Sequence, residues 1–121
     1  MNKIEINGEV YVKESEVKGI QLAEKVDGMP YVIVRTYSAG VFAGFLKERN
    51  GKEGVMLQAR RLWYWDGANS LSELAMKGVS KPENCKFPCE LERVELTEII
   101  EVDYCTEKAM LNIKEVPEWK S

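Results

Sequence analysis

The stretch "VFAGFLKERNGKEGVMLQARRLWYW" (41–65) decides the fold. Two runs rich in β-branched and aromatic residues flank Asn50-Gly51, a pair whose tolerance of positive φ makes it the strongest short-range signal of a β-hairpin. A strict two-residue turn on that pair would set Arg49 opposite Lys52 and Glu48 opposite Glu53. Both are like-charge pairs, so a longer loop or a bulge near Gly54 is expected. Upstream, "YVIVRTY" (31–37) reads as another strand, punctuated by "SAG" before the hairpin begins.

Working outward, "ANSLSELAMKG" repeats Leu71, Leu74 and Ala75 at helical spacing, with Gly78 as the cap. Residues 79–89, "VSKPENCKFPC", hold two prolines and no periodicity, the mark of an ordered loop. "RVELTEIIEV" sets Val94, Leu96, Ile100 and Val102 against Glu95, Thr97 and Glu101, as one half-buried strand would. A last helix over "TEKAMLNIKEV" starts from a Thr106 N-cap and buries Ala109, Met110 and Ile113; "PEW" ends it, and Trp119 is expected to fold back on the body. At the other end, "KIEINGEVYV" predicts a small hairpin on Asn7-Gly8 with Ile4, Ile6 and Tyr11 on one face, and "SEVKGIQLAEKV" predicts a short helix over 15–26.

These elements make an α+β protein: an antiparallel β-sheet with two C-terminal helices, preceded by a small N-terminal hairpin and helix. Residues 1–28 form the appendage and 29–121 the main domain. The 121 residues suit one folded unit, and no apolar run is long enough to span a bilayer. The opening "MNKIEING" has no apolar core of a secretory signal, so a cytoplasmic location is the default. Three cysteines, Cys85, Cys89 and Cys105, are an odd number suited to reduced thiols. With no histidine in the chain, their number falls short of a zinc set unless a carboxylate completes it, so no metal is expected.

Charge is uneven in a chain of net charge −3. Residues 31–66 hold six basic side chains against three acidic, whereas residues 90–118 hold three against nine. A basic strip on an acidic protein suits a small anion better than long nucleic acid. Within the strip, "ARRLWYW" (59–65) alternates Arg60, Leu62 and Tyr64 with Arg61, Trp63 and Trp65. Trp63 and Trp65 are expected in the core because each has so much area to bury. Arg60 and Arg61 either pair with the glutamates of the 90–101 segment or hold phosphates in a bidentate grip.

In "RTYSAGV", Arg35, Tyr37 and Ser38 stand beside Gly40 in what is either a plain turn or an anion-facing one. In "PENCKFP", Lys86 and Phe87 lie between prolines, where the aromatic either stacks on a base or anchors the loop. Catalysis finds little support: there is no histidine base, no nucleophile elbow, and the glutamates fall on a solvated face.

The ordered strings "YVIVRTYSAGVFAG", "ARRLWYWDGANSLSELAMKGVSKPENCKFP", "VELTEIIEV" and "VPEW" closely resemble the phage-encoded Thoeris anti-defence sponge family, the first described of that kind, over residues 31–119. The resemblance implies a protein without enzymatic activity or cofactor. It would work in the host bacterial cytoplasm, binding the cyclic ADP-ribose isomers made by TIR-domain proteins and keeping them from their effector. It further implies homodimers that assemble into hexamers, and uptake by some members of the cyclic di- and trinucleotides of CBASS at separate sites. The candidate ligand residues are then Arg35, Tyr37, Ser38, Arg60, Arg61, Lys86 and Phe87. The competing expectation is a single-stranded nucleic-acid or other nucleotide-binding module.

Overall fold

The computed structural model describes residues 21–120. Strands β1 (Tyr31–Thr36), β2 (Val41–Asn50) and β3 (Glu53–Arg61) are followed by helix α1 (Leu71–Lys77) and a 3-10 turn at Pro82–Asn84. Strands β4 (Glu90–Leu96) and β5 (Ile99–Tyr104) and helix α2 (Glu107–Glu115) complete the chain. All pairings in the five-stranded sheet are antiparallel, in the order β4-β3-β2-β1-β5.

The stretch expected as one strand over 93–102 is thus two strands that lie at opposite edges of the sheet. Only Thr97 and Glu98 join them, so the sheet curls until its edges meet at that point. There the Ile99 amide donates to the Lys52 carbonyl at 2.9 Å and the Tyr37 amide to the Glu98 carbonyl at 2.9 Å. Curling creates an interior filled by Val32, Val34, Phe42, Met56, Ala59, Leu96 and Ile99. The outer face of β1 and β2 presents Tyr31, Ile33, Ala43 and Phe45 to Leu74 and Ala75 of α1 and to Ala109 and Ile113 of α2. "YVIV" is an unbroken apolar run because it is buried on both sides. Burying each large apolar side chain contributes roughly 1.5–3 kcal/mol.

The central hairpin avoids both like-charge pairs, by a different route from the one expected. Its turn is Gly51-Lys52, one residue later, so Asn50 faces Glu53 and Arg49 faces Gly54. Irregularities fall at Lys47, between the Leu46–Met56 and Glu48–Val55 pairs, and at Gln58, which takes φ 51°. Opposite Gln58, a Cβ on Gly44 would lie 2.8 Å from the Ala59 Cα, so only glycine permits this close approach.

Both helices begin and end as their residues dictate. The Ser70 hydroxyl accepts from the Glu73 amide, and Gly78, at φ 79°, returns its N–H to the Leu74 carbonyl. The Thr106 hydroxyl accepts from the Ala109 amide and donates to the Met76 carbonyl at 2.7 Å, so one N-cap also ties α2 to the end of α1. Met110, expected in the core with Ala109 and Ile113, is only partly buried.

The hairpin expected on Asn7-Gly8, and the part of the 15–26 helix up to residue 20, lie outside the described residues. Residues 21–26 are not helical: Leu22 forms a bridge to Thr106 and Val26 to Met29. Gly19 and the β-branched valines offered little local drive to helix, and backbone bonds to Cys105 and Glu107 supply the alternative. Among the described residues, no helix is long and apolar enough to cross a membrane.

Candidate functional site

Beyond Arg61 the chain leaves the sheet, and three extended segments come together side by side. Tyr64 and Lys86 exchange backbone bonds of 3.4 and 2.7 Å, and Phe87 bridges Glu118 in parallel while its carbonyl accepts from the Trp119 amide at 2.9 Å. This small ribbon holds up the side chains of Trp63, Lys86 and Trp119. The two indoles stack with centroids 5.3 Å apart and planes 10° from parallel. The Lys86 ammonium lies 5.2 Å from the Trp63 ring, 5.6 Å from Trp119 and 5.9 Å from Tyr64.

Trp63 was expected in the core because of its size, and the structure corrects this: it is 60% exposed, and Tyr64 is half-exposed beside it. Trp65, partly buried, does pack against the helix-side core. Strand β3 ends at Arg61, and once the alternation stops, Leu62 turns fully into the core at 2% exposure. Trp119 folds back as its sequence position suggested, and its seat is Trp63.

Arg60 is buried at 6% exposure, and its guanidinium does not pair with the glutamates. Nη1 donates to the carbonyls of Ile113 (3.0 Å) and Val116 (2.6 Å), and Nη2 to those of Phe87 (2.9 Å) and Pro117 (3.5 Å). Nε reaches Pro88 at 3.4 Å. A planar fork with five donors suits this cluster of carbonyls at the C-terminus of α2, where a cation also meets the negative end of the helix dipole. Burial lowers its pKa, opposed by the charges of Tyr31, Glu90 and Glu118. Phe87, fully buried under the Arg60 guanidinium, anchors the loop. Arg60 and Phe87 thus build the frame of the ribbon: Phe87 is wholly buried, and Arg60 reaches the surface only where it lines a shallow pocket with Cys89, Glu90 and Lys114.

The other sequence candidates divide into two groups. Arg61 is exposed, its guanidinium 4.6 Å from the centroid of the Phe42 ring at the mouth of the sheet interior. Of the basic sequence candidates, Lys86 is the one that sits against the exposed aromatics. At the β1–β2 turn, Tyr37 is 79% exposed, yet the surroundings are less favourable to an anion than "RTYSAG" suggested. The Tyr37 amide is taken by Glu98, and the Ala39 amide bonds the Thr36 hydroxyl at 2.8 Å. Ser38 donates to the Glu98 carboxylate, and Arg35 stands 3.8 Å from Glu101. Arg35 and Arg61 point to opposite faces, because their partners Val41 and Phe42 are adjacent on β2.

Tyr64 and Trp119 belong to this surface and were not among the sequence candidates. The signal that could have found them is the pairing of a cation-bearing loop with two tryptophans that the core does not need. Cys85 and Cys105 are buried free thiols, with burial pushing Cys105 up to about 12, while Cys89 is exposed. No group of three metal-ligating side chains occurs among the described residues.

Comparison with known proteins adds a family. Residues 29–113 match DUF6948, described as a domain of unknown function. No curated protein and no solved structure matches the chain.

Proposed function

We propose that this chain, which belongs to the DUF6948 family, binds a small anionic nucleotide and holds it without altering it, the ligand being a cyclic ADP-ribose isomer made by a TIR-domain protein of the Thoeris system. The observation that carries the reading is the half-exposed Trp63 platform, which already accepts a planar ring at 10°, with the Lys86 ammonium within 6 Å. A purine can stack on such a face, and stacking of a base on an aromatic side chain is worth about 1–3 kcal/mol. Lys86 and Arg61 supply cations for the two charges of a diphosphate. Arg35, Tyr37 and Ser38, near the exit of β1, are the outer candidates of the same proposal. The resemblance to the phage sponges supports the ligand class, and the function follows from it: a captured signal cannot reach its effector. Cyclic di- and trinucleotides as second ligands, and assembly into dimers and hexamers, belong to the same proposal.

Tight retention needs stacking, charge and slow release, and no reactive group. The test is to mix the purified protein with the cyclic product of an active TIR protein, remove free ligand, heat-denature the complex and identify what is released. Intact signal, lost in Lys86→Ala and Arg61→Ala, is expected. A chemically altered product would make the protein an enzyme. Retention of single-stranded oligonucleotides instead, stronger with length and weaker with salt, would favour a nucleic-acid binder.

A further inference from the structure

Trp119 has an unusual position for a residue close to the C-terminal end of the described chain. Its indole covers a tryptophan that remains 60% exposed, yet it joins neither of the two core clusters and is itself 37% exposed. Beyond Val116 and Pro117, whose carbonyls Arg60 holds, its own backbone is held by the Trp119–Phe87 bond and the neighbouring Glu118–Phe87 bridge. The ammonium of Lys86 sits against both indoles and, among the described residues, forms no ion pair. Among the described residues its neighbours are ring faces, an arrangement that a phosphate improves on.

We propose that Trp119 is a built-in occupant of the stacking platform: its indole fills the seat of the ligand's base on Trp63 and leaves when a planar, anionic ligand arrives. The geometry supports replacement, because a near-parallel ring at stacking distance is what a purine would present to the same face. The anion of the ligand then takes Lys86 as its partner while the 118–120 tail lifts from Phe87. Arg60 is the fixed point of the movement: it clamps the carbonyls of 113, 116 and 117, so the tail swings beyond Pro117 while α2 stays in place.

This rests on the nucleotide-binding reading, and the test separates the two. The cyclic product of an active TIR protein is titrated into the full chain and into Trp119→Ala, a variant that leaves both core clusters intact. Hydrogen exchange of residues 118–120 is followed with and without ligand. A displaced occupant makes Trp119→Ala bind about three- to tenfold tighter, the ligand no longer having to break an aromatic stack, and makes exchange in the wild-type tail faster with ligand. Weaker binding in Trp119→Ala, with slower exchange in the liganded tail, would show that Trp119 clamps the ligand and would overturn the proposal while keeping the nucleotide site. Binding to neither protein would overturn the nucleotide reading and this inference with it.

Discussion

Arg60 and Arg61 are neighbours of the same type, and the fold gives them unrelated work. Arg60 points to the helix side of the sheet and ends among five carbonyl oxygens; Arg61 points away and stays in water over the Phe42 ring. Removing the buried guanidinium strands those acceptors, and an unsatisfied buried acceptor costs about 1–3 kcal/mol. Arg60→Ala is expected to lower stability by roughly 3 kcal/mol or more, and Arg60→Lys to recover only part, since an ammonium lacks the planar fork. Urea unfolding midpoints check both. Arg61→Ala should shift the same midpoint by less than about 0.5 kcal/mol, as exposed positions do, while weakening retention of the nucleotide. Equal losses of stability in the two alanine variants would contradict the division of labour.

At the scale of elements, the hairpin shows where local chemistry stops deciding. Asn50-Gly51 announced a turn, and like-charge repulsion announced that a strict turn on that pair would fail. Neither could say that the register would recover through an irregularity at Lys47 and a positive φ at Gln58, because these depend on how far β2 and β3 must bend to close the sheet. Gln58 is an exposed, non-glycine residue in the left-handed region, which costs roughly 1–2 kcal/mol. Gln58→Gly is expected to raise the thermal midpoint, by the equivalent of about 0.5–1 kcal/mol once the added freedom of the unfolded chain is counted. A valine at 58 should lower it, since a β-branched residue tolerates that φ least. The two helices were far more legible: Ser70, Gly78 and Thr106 each cap as their types require, because capping is satisfied within a few residues of chain.

At the scale of the whole molecule, the pairing of β5 with β1 sets Asp103 opposite Ile33 and Glu101 opposite Arg35, on the helix-facing side of the sheet. Asp103 Oδ2 is shielded from water and, among the described residues, has no hydrogen-bond partner. Burial, then the neighbouring Glu101 carboxylate, pushes the Asp103 carboxyl up to about 6 from its ordinary 3.8. The folded protein therefore binds a proton here that the unfolded chain lacks between about pH 4 and 6. Stability gained from that proton is present in full below the unfolded value and is lost as pH rises through about 6. Asp103→Asn is expected to flatten this slope and to stabilise the protein at pH 7.5, as thermal unfolding at pH 5 and 7.5 would show.

What the sequence determined by itself is the set of local units: the strands flanking Asn50-Gly51, the capped helices, the apolar "YVIV" run and the concentration of cations and aromatics around "ARRLWYW". Periodicity, turn chemistry and capping act over a few residues, so they can be read from a few residues. Tertiary structure alone decided that 90–104 is two strands on opposite edges, that Arg60 and Phe87 serve the frame, and that Trp63 stands in solvent with Trp119 upon it. Each of these depends on carbonyls and rings from segments about 20 to 60 residues away in the chain, which meet only after the sheet has closed.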